Sequence, residues 1–124
     1  DPVKAADVTQ TMLQKDSNLD FILAQTDPEA LAVATVLREQ GLDSKIGVIG
    51  IGGSAEGVQA VADGKMFGTV QVSSIADGST SVRTLLAMVQ GTEVQVDTSG
   101  DRPTVVVDSV IITKDNAQDH PGDW

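Results

Sequence analysis

Apolar positions along the chain follow two rhythms that take turns. Short, nearly continuous apolar runs occur at 19–24 (LDFILA), 46–49 (IGVI), 68–72 (GTVQV) and 105–112 (VVVDSVII). Runs of four to eight such residues, rich in β-branched side chains, predict strands covered on both faces. Between them the spacing becomes helical. Asp1 before Pro2 reads as an N-cap with proline at the first helical position, and Val3, Ala6, Met12 and Leu13 form a stripe running to Lys15. Asp27-Pro28 repeats that opening, and Ala30, Leu31, Val33, Ala34 and Leu37 carry a helix to Gly41, a suitable C′ residue. Gly50-Ile51-Gly52-Gly53 turns into a helix bearing Val58, Val61 and Ala62 that stops at Gly64, and Val82, Leu85, Leu86 and Val89 mark another ending at Gly91. Residues 92–103 read as loop with a short strand at 94–96, and 117–124 as a loose polar tail beyond a single lobe of residues 1–116.

Strands alternating with helices of about a dozen residues require parallel pairing through right-handed crossovers. The class is therefore α/β: a three-layer, doubly wound, mostly parallel sheet. In such sheets ligands sit beyond the carboxyl ends of the strands. That rule selects three loops: Gln25-Thr26-Asp27, residues 51–54, and residues 73–77.

Composition narrows the chemistry. The chain has 124 residues, 8 Lys and Arg against 18 Asp and Glu, and hence a net charge of −10. That balance argues against nucleic acid, whose affinity comes from clustered cations. No Cys is present, which excludes disulfide scaffolds, thiolate metal sites and thiol catalysis. No apolar run reaches the ~20 residues of a membrane span. The first residue is Asp1 rather than Met, the mark of a processed protein or an excised piece. Phe21, Phe67 and Trp124 are the only aromatics, a meagre supply for stacking on a ligand.

Gly50-Ile51-Gly52-Gly53-Ser54-Ala55 matches the G-x-G-x-x-A dinucleotide pattern, follows a strand and opens a helix. An NAD(P)-binding oxidoreductase domain using Gly50, Gly52 and Ala55 is therefore one alternative. Against it, Val72-Ser73-Ser74 stands where a ribose-holding acid belongs, and the motif lies on the second unit instead of the first. A glycine turn required only by strand-to-helix geometry is the plainer explanation. Asp27 has a similarly plain role as an N-cap, and its place at a strand end makes it a ligand candidate as well. Ser73, Ser74 and Asp77 combine capping with possible contact to a polar ligand. His120, beside Asp119 and Asp123 in a polar stretch, reads as surface rather than metal ligand, and without another His no Ser-His-Asp triad can be built. No metal, no cofactor and no catalytic residue is expected.

The segments LDFILAQTDPEALAVATVLREQGL, KIGVIGIGG, AEGVQAVADGKMFGTVQV and VVVDSVIITKDN together resemble the carboxy-terminal lobe of the type I periplasmic sugar-binding proteins of the ribose-binding type, the solute receptors of ABC importers. The resemblance runs from Pro2 to Asn116. It is most specific in Asp63-Gly64-Lys65 followed by Gly68-Thr69-Val70 and in Ile112-Thr113-Lys114-Asp115-Asn116. It implies a non-enzymatic, extracytoplasmic, secreted or lipid-anchored receptor. A sugar-like solute is held between this lobe and its own amino-terminal lobe, and the closed form docks on the ABC permease. An effector-binding domain of a sensor or regulator with the same fold is the further alternative. With the three strand-end loops, the ligand residues expected are Thr26, Asp27, Gly52, Gly53, Ser54, Ser73 and Ser74. The family's Asn before that Asp is Thr26 here, the sugar-binding Asp of the next turn is Gly52, and Val72 stands in the place of the Gln that ends the third strand. Those exchanges remove hydroxyl-binding groups and imply a shifted specificity, toward a less polar, smaller or anionic solute.

Overall fold

The computed structural model describes residues 1–122 and 124; the expectation placed on Asp123 lies outside the described residues. Four helices and four strands follow one another as α1 (Pro2–Lys15), β1 (Phe21–Leu23), α2 (Asp27–Glu39), β2 (Gly47–Gly52), α3 (Ala55–Ala62), β3 (Gly68–Gln71), α4 (Ser74–Val89) and β4 (Val110–Thr113). The strands form one sheet in the order β1-β2-β3-β4. The first three pair in parallel and β4 joins antiparallel to β3. The fold is thus α/β with a mostly parallel sheet, and α2 and α3 serve as its crossovers.

Because β1, β2 and β3 succeed one another across the sheet, right-handed crossovers place α2 and α3 on the same face. Val48 and Gly50 of β2, Thr69 of β3 and Ile112 of β4 point to that face and are buried. They meet Ala30, Val33 and Leu37 of α2 and Val58 and Val61 of α3 in a single apolar core. α1 packs on α2 and inserts Leu13; its buried Thr9 returns its hydroxyl to the Ala5 carbonyl at 2.7 Å.

The opposite face shows residues of the other parity, Phe21, Leu23, Ile51, Val70 and Ile111. Leu23 is 66% exposed and Ile111 70% exposed. The helices packed on the sheet form one layer, and the second helical layer of a doubly wound sheet is not among the described residues.

Several boundaries differ from the sequence expectation. α4 begins at Ser74, so residues 74–77 are helix rather than loop. α4 buries none of its own residues, and Leu85 is 63% exposed, although its apolar spacing is as regular as that of α2. Of the run 105–112 only the part from Val110 is strand; residues 105–109 have no neighbour in the sheet to pair with. In place of a strand at 94–96 there is an isolated bridge between Asp97 and Thr104. Described residues of the tail make contacts with the body of the fold. Ala117 is buried, Gln71 Nε2 donates to the Pro121 carbonyl at 3.2 Å, and Ala55 N–H donates to the Trp124 carbonyl at 3.0 Å. Its polar composition concealed the backbone contacts that hold it.

Candidate functional site

The carboxyl ends of β1, β2 and β3 converge as the fold class requires, and their centre is Asp27. The N-cap of α2 is not Asp27 but Thr26, whose extended backbone (φ −139°, ψ 160°) precedes the first helical turn. One residue further on, Asp27 is 0% exposed. Its Oδ2 accepts from the Ser54 amide at 2.7 Å and the Ser54 hydroxyl at 2.9 Å, and its Oδ1 accepts from the Thr69 hydroxyl at 2.6 Å. A carboxylate can be buried at low cost only when donors converge on it in this way. Asp27 therefore ties α2 to the start of α3 and to β3. It is neither a cap nor a group presented to a solute, and the ligand role expected of it gives way to a structural one.

Ser54 shares that role. It is the N-cap of α3: its hydroxyl accepts from Gly57 N–H at 3.0 Å while donating to Asp27. It is buried, so its expected ligand contact gives way as well. The glycines of the motif follow from the same carboxylate. A Cβ on Gly50 or on Gly57 would overlap the Asp27 side chain, and Gly53 (φ 69°) lies against Gln71. Thus Gly50 is absent of side chain to admit Asp27, not a pyrophosphate.

The α3 N-terminus is also closed to an anion. Ser54 N–H goes to Asp27, Ala55 N–H to the Trp124 carbonyl, and Gly57 N–H to the Ser54 hydroxyl. A dinucleotide phosphate would need those amides free. The oxidoreductase alternative fails on this geometry.

What stays near solvent at this end of the sheet is Thr26, the Gly52 turn, and Ser73 with Ser74. Gly52 adopts φ 137°, open to glycine alone, and its carbonyl accepts from Val72 N–H at 3.1 Å and Trp124 Nε1 at 3.4 Å. Ser73 caps α4 by accepting from Ala76 N–H at 3.2 Å, and Ser74 is exposed in the first turn. The structure thus brings Thr26, Gly52 and Gly53 around one strand end and leaves the serines at the root of α4. Among the described residues no group of His, Asp and Glu could hold a metal ion. Sequence reasoning missed the parts played by Thr69 and Trp124, and met Gln71 only as a residue one place early for the Gln that ends the family's third strand. A Thr in a buried strand needs a partner for its hydroxyl, which was a usable signal for Thr69; nothing local marked Trp124.

The most specific part of the sequence pattern, Asp63-Gly64-Lys65, ends α3 on the far side. Asp63 accepts from Lys65 Nζ and from Gln59 Nε2, each at 2.8 Å, and the Lys65 hydrogen bond, then that of Gln59, holds its carboxyl below the usual range. Gly64 follows with φ 74° as the left-handed helix stop. A cavity of about 600 Å³ opens at that amino end of the strands, lined by Phe21, Phe67, Lys45, Lys65 and Lys114, away from the end at which such sheets bind ligands.

Comparison with known proteins accords with this geometry. A family model described as a periplasmic binding protein domain matches residues 1–93. The D-allose-binding periplasmic protein of Escherichia coli is 29% identical over 115 residues, which are 92% of this chain and 36% of that protein. The ribose import binding protein of the same organism is 30% identical over 106 residues, 86% of this chain and 36% of that protein. Among solved structures, an ABC transporter periplasmic solute binding protein from Actinobacillus succinogenes with bound D-allose superposes with a TM-score of 0.83 at 23% identity, covering 96% of this chain and 40% of that one. The chain therefore spans little more than a third of the length of its curated relatives. With a family model covering most of its length and the matching Rossmann-like fold, the chain belongs to the periplasmic binding protein domain family.

Proposed function

We propose that this chain is the carboxy-terminal part of an extracytoplasmic solute receptor that holds a sugar-like molecule between two lobes and delivers it to an ABC permease. Binding, not catalysis, is its task. The relatives that support this are named for D-allose and ribose, and the superposed structure holds D-allose.

The observation that carries the reading is the state of the two uncovered surfaces. One sheet face displays Phe21, Leu23 and Ile111, and α4 displays Ile75, Val82, Leu85 and Leu86. Apolar surface at this density on a short chain marks an interface. The rest of this lobe would cover the sheet face, and the amino-terminal lobe would cover α4. The departure from the body then falls at Val72–Ser73, where β3 gives way to α4, and the return at β4.

Between the lobes the solute would contact Thr26, the Gly52 turn, Ser73 and Ser74, with the buried Asp27, Gly53 and Ser54 bracing that surface from behind. Thr26 and Ser74 offer hydroxyls, and Gly52 offers backbone without side-chain bulk. Closure of the lobes would then hide the solute from water and present the closed form to the permease.

The test is calorimetric titration of the full-length protein with D-allose, D-ribose, D-glucose and, separately, NAD and NADP. Binding of one of the sugars with a dissociation constant in the micromolar range or below, and of neither dinucleotide, is expected. Dinucleotide binding without sugar binding would overturn the proposal.

A further inference from the structure

The cavity at the amino ends of the strands has a chemistry of its own. Its volume, about 600 Å³, lies within the ~300–1,000 Å³ usual for small-molecule sites. The floor is apolar, with Ile46, Val48, Val61 and Met66 all buried. One wall is the edge-to-face pair of Phe21 and Phe67, whose ring centroids are 5.0 Å apart and whose phenyls remain 53% and 57% exposed. Gly47 seats that pair, since a Cβ there would stand 2.5 Å from Phe21 Cε1.

Charge of both signs lines the rim. Lys45, Lys65 and Lys114 are three of the five lysines in a chain of net charge −10, and Asp20, Asp43 and Asp115 stand among them. Among the described residues none of these lysines comes within the 4.0 Å of an ion pair with any of these aspartates. Lys65 turns instead to Asp63 at 2.8 Å, and Lys45 Nζ donates to the Ser17 carbonyl at 3.1 Å. Lys114 Nζ has no such partner and lies beside Gly64, 3.8 Å from where a Cβ would be. Opposite charges held apart around an apolar floor suit a molecule that reaches both.

We propose that this cavity is a second small-molecule site, for the zwitterion of an amino acid with an aromatic side chain. The carboxylate would face Lys114, the ammonium group the aspartates, and the side chain the phenyl wall. An anion alone would meet three carboxylates and a cation alone three ammonium groups, whereas a zwitterion gains at each end. Edge-to-face contact with Phe21 or Phe67 adds to the burial of the ring. The rim charges come from the loops at the strand ends, so the rest of the lobe, lying over the Phe21 face, would wall the cavity on that side and leave the rim to solvent. The solute-binding end of the sheet is the opposite one, so both sites can be filled at once, and this inference does not depend on the sugar reading.

The experiment titrates the full-length protein with L-phenylalanine, followed by NMR, and repeats the titration in excess D-allose. N-acetyl-L-phenylalanine and phenethylamine serve as probes that each lack one of the two charges. L-Phenylalanine should bind with a millimolar dissociation constant that D-allose leaves unchanged, and each one-charge probe should bind about threefold more weakly or worse, the scale of one surface ion pair. Lys114→Gln and Phe67→Ala, both at exposed positions, should each weaken L-phenylalanine by about threefold while leaving the melting temperature without ligand nearly unmoved. Binding that D-allose displaces, binding that neither variant weakens, or a one-charge probe that binds as tightly as L-phenylalanine would overturn the proposal. So would the absence of binding, which is the result expected if the rest of the lobe fills the cavity.

Discussion

Two helices of this molecule carry similar apolar patterns and meet different fates. α2 repeats apolar residues at helical spacing and buries Ala30, Val33, Val36 and Leu37 between the sheet and α1. α4 repeats Val82, Leu85, Leu86 and Val89 with the same regularity and buries none of them. An apolar stripe states that a helix has a partner; it does not state that the partner is on the same segment of chain. α2 finds β2 because the β-α-β crossover returns it to the sheet. α4 leaves from β3 and the chain comes back only at β4, antiparallel, so no crossover lays it over a strand.

The largest effects should fall on the α2 side. Asp27→Ala leaves Ser54 N–H and the Ser54 and Thr69 hydroxyls without their acceptor and opens a hole at the junction of three elements. A loss of about 3–5 kcal/mol is expected from urea unfolding of the full-length protein. Leu37→Ala, in the core of the same helix, should cost ~2–5 kcal/mol by the same measurement.

Gly57→Ala comes next. Its methyl would overlap the Asp27 carboxylate, so a cost of about 1–3 kcal/mol is expected. Because the conflict is with that one side chain, the double variant with Asp27→Ala should lose less than the sum of the two single losses. Additive losses would show that the glycine answers to something else.

On the α4 side, Leu85→Ala should shift the 124-residue chain by less than about 0.5 kcal/mol and the full-length protein by about 2 kcal/mol. Equal shifts in both would remove the distinction between the two helices. The smallest effect is expected at Asp63, whose carboxylate lies at the surface. Its folded-state pKa is depressed, so whatever it contributes is present above the ordinary value of 3.8 and is lost as pH falls through the lower folded value. Asp63→Asn should leave the urea midpoint at pH 7 almost unmoved and flatten the profile only as the pH falls below the ordinary carboxylate value of 3.8.

Most of the fold was legible because its signals are local. Pro2 and Pro28 announce helix starts, Gly41, Gly64 and Gly91 announce stops with φ between 67° and 74°, and the runs beginning at 19, 46 and 68 each yield a strand. The strand at 105–112 was overextended because β-branched residues report a preference for extended backbone, whereas a ladder needs a neighbour. The candidate site was only half legible. Gly50, Gly52 and Gly53 fall in the right loop, but the reason for Gly50 and Gly57 is a carboxylate 27 residues from Ser54 in sequence, supplied by another helix. Sequence motifs record that a backbone must come close to an anion; here the anion is internal. Trp124 was misjudged for the mirror reason. Its stretch of Asp, His, Pro and Gly has the composition of a free tail, and its anchors are backbone groups, which leave no trace in side-chain pattern.

Hydrogen exchange of α4, compared between the 124-residue chain and the full-length protein bound to sugar, tests the account at its centre. The amides of α4 should exchange near the unfolded rate in the short chain while those of α2 are protected, and both helices should be protected in the full-length protein. Protection of α4 to the level of α2 in the short chain, or an unprotected α4 in the sugar-bound full-length protein, would contradict the assignment of this helix to the interface with a second lobe.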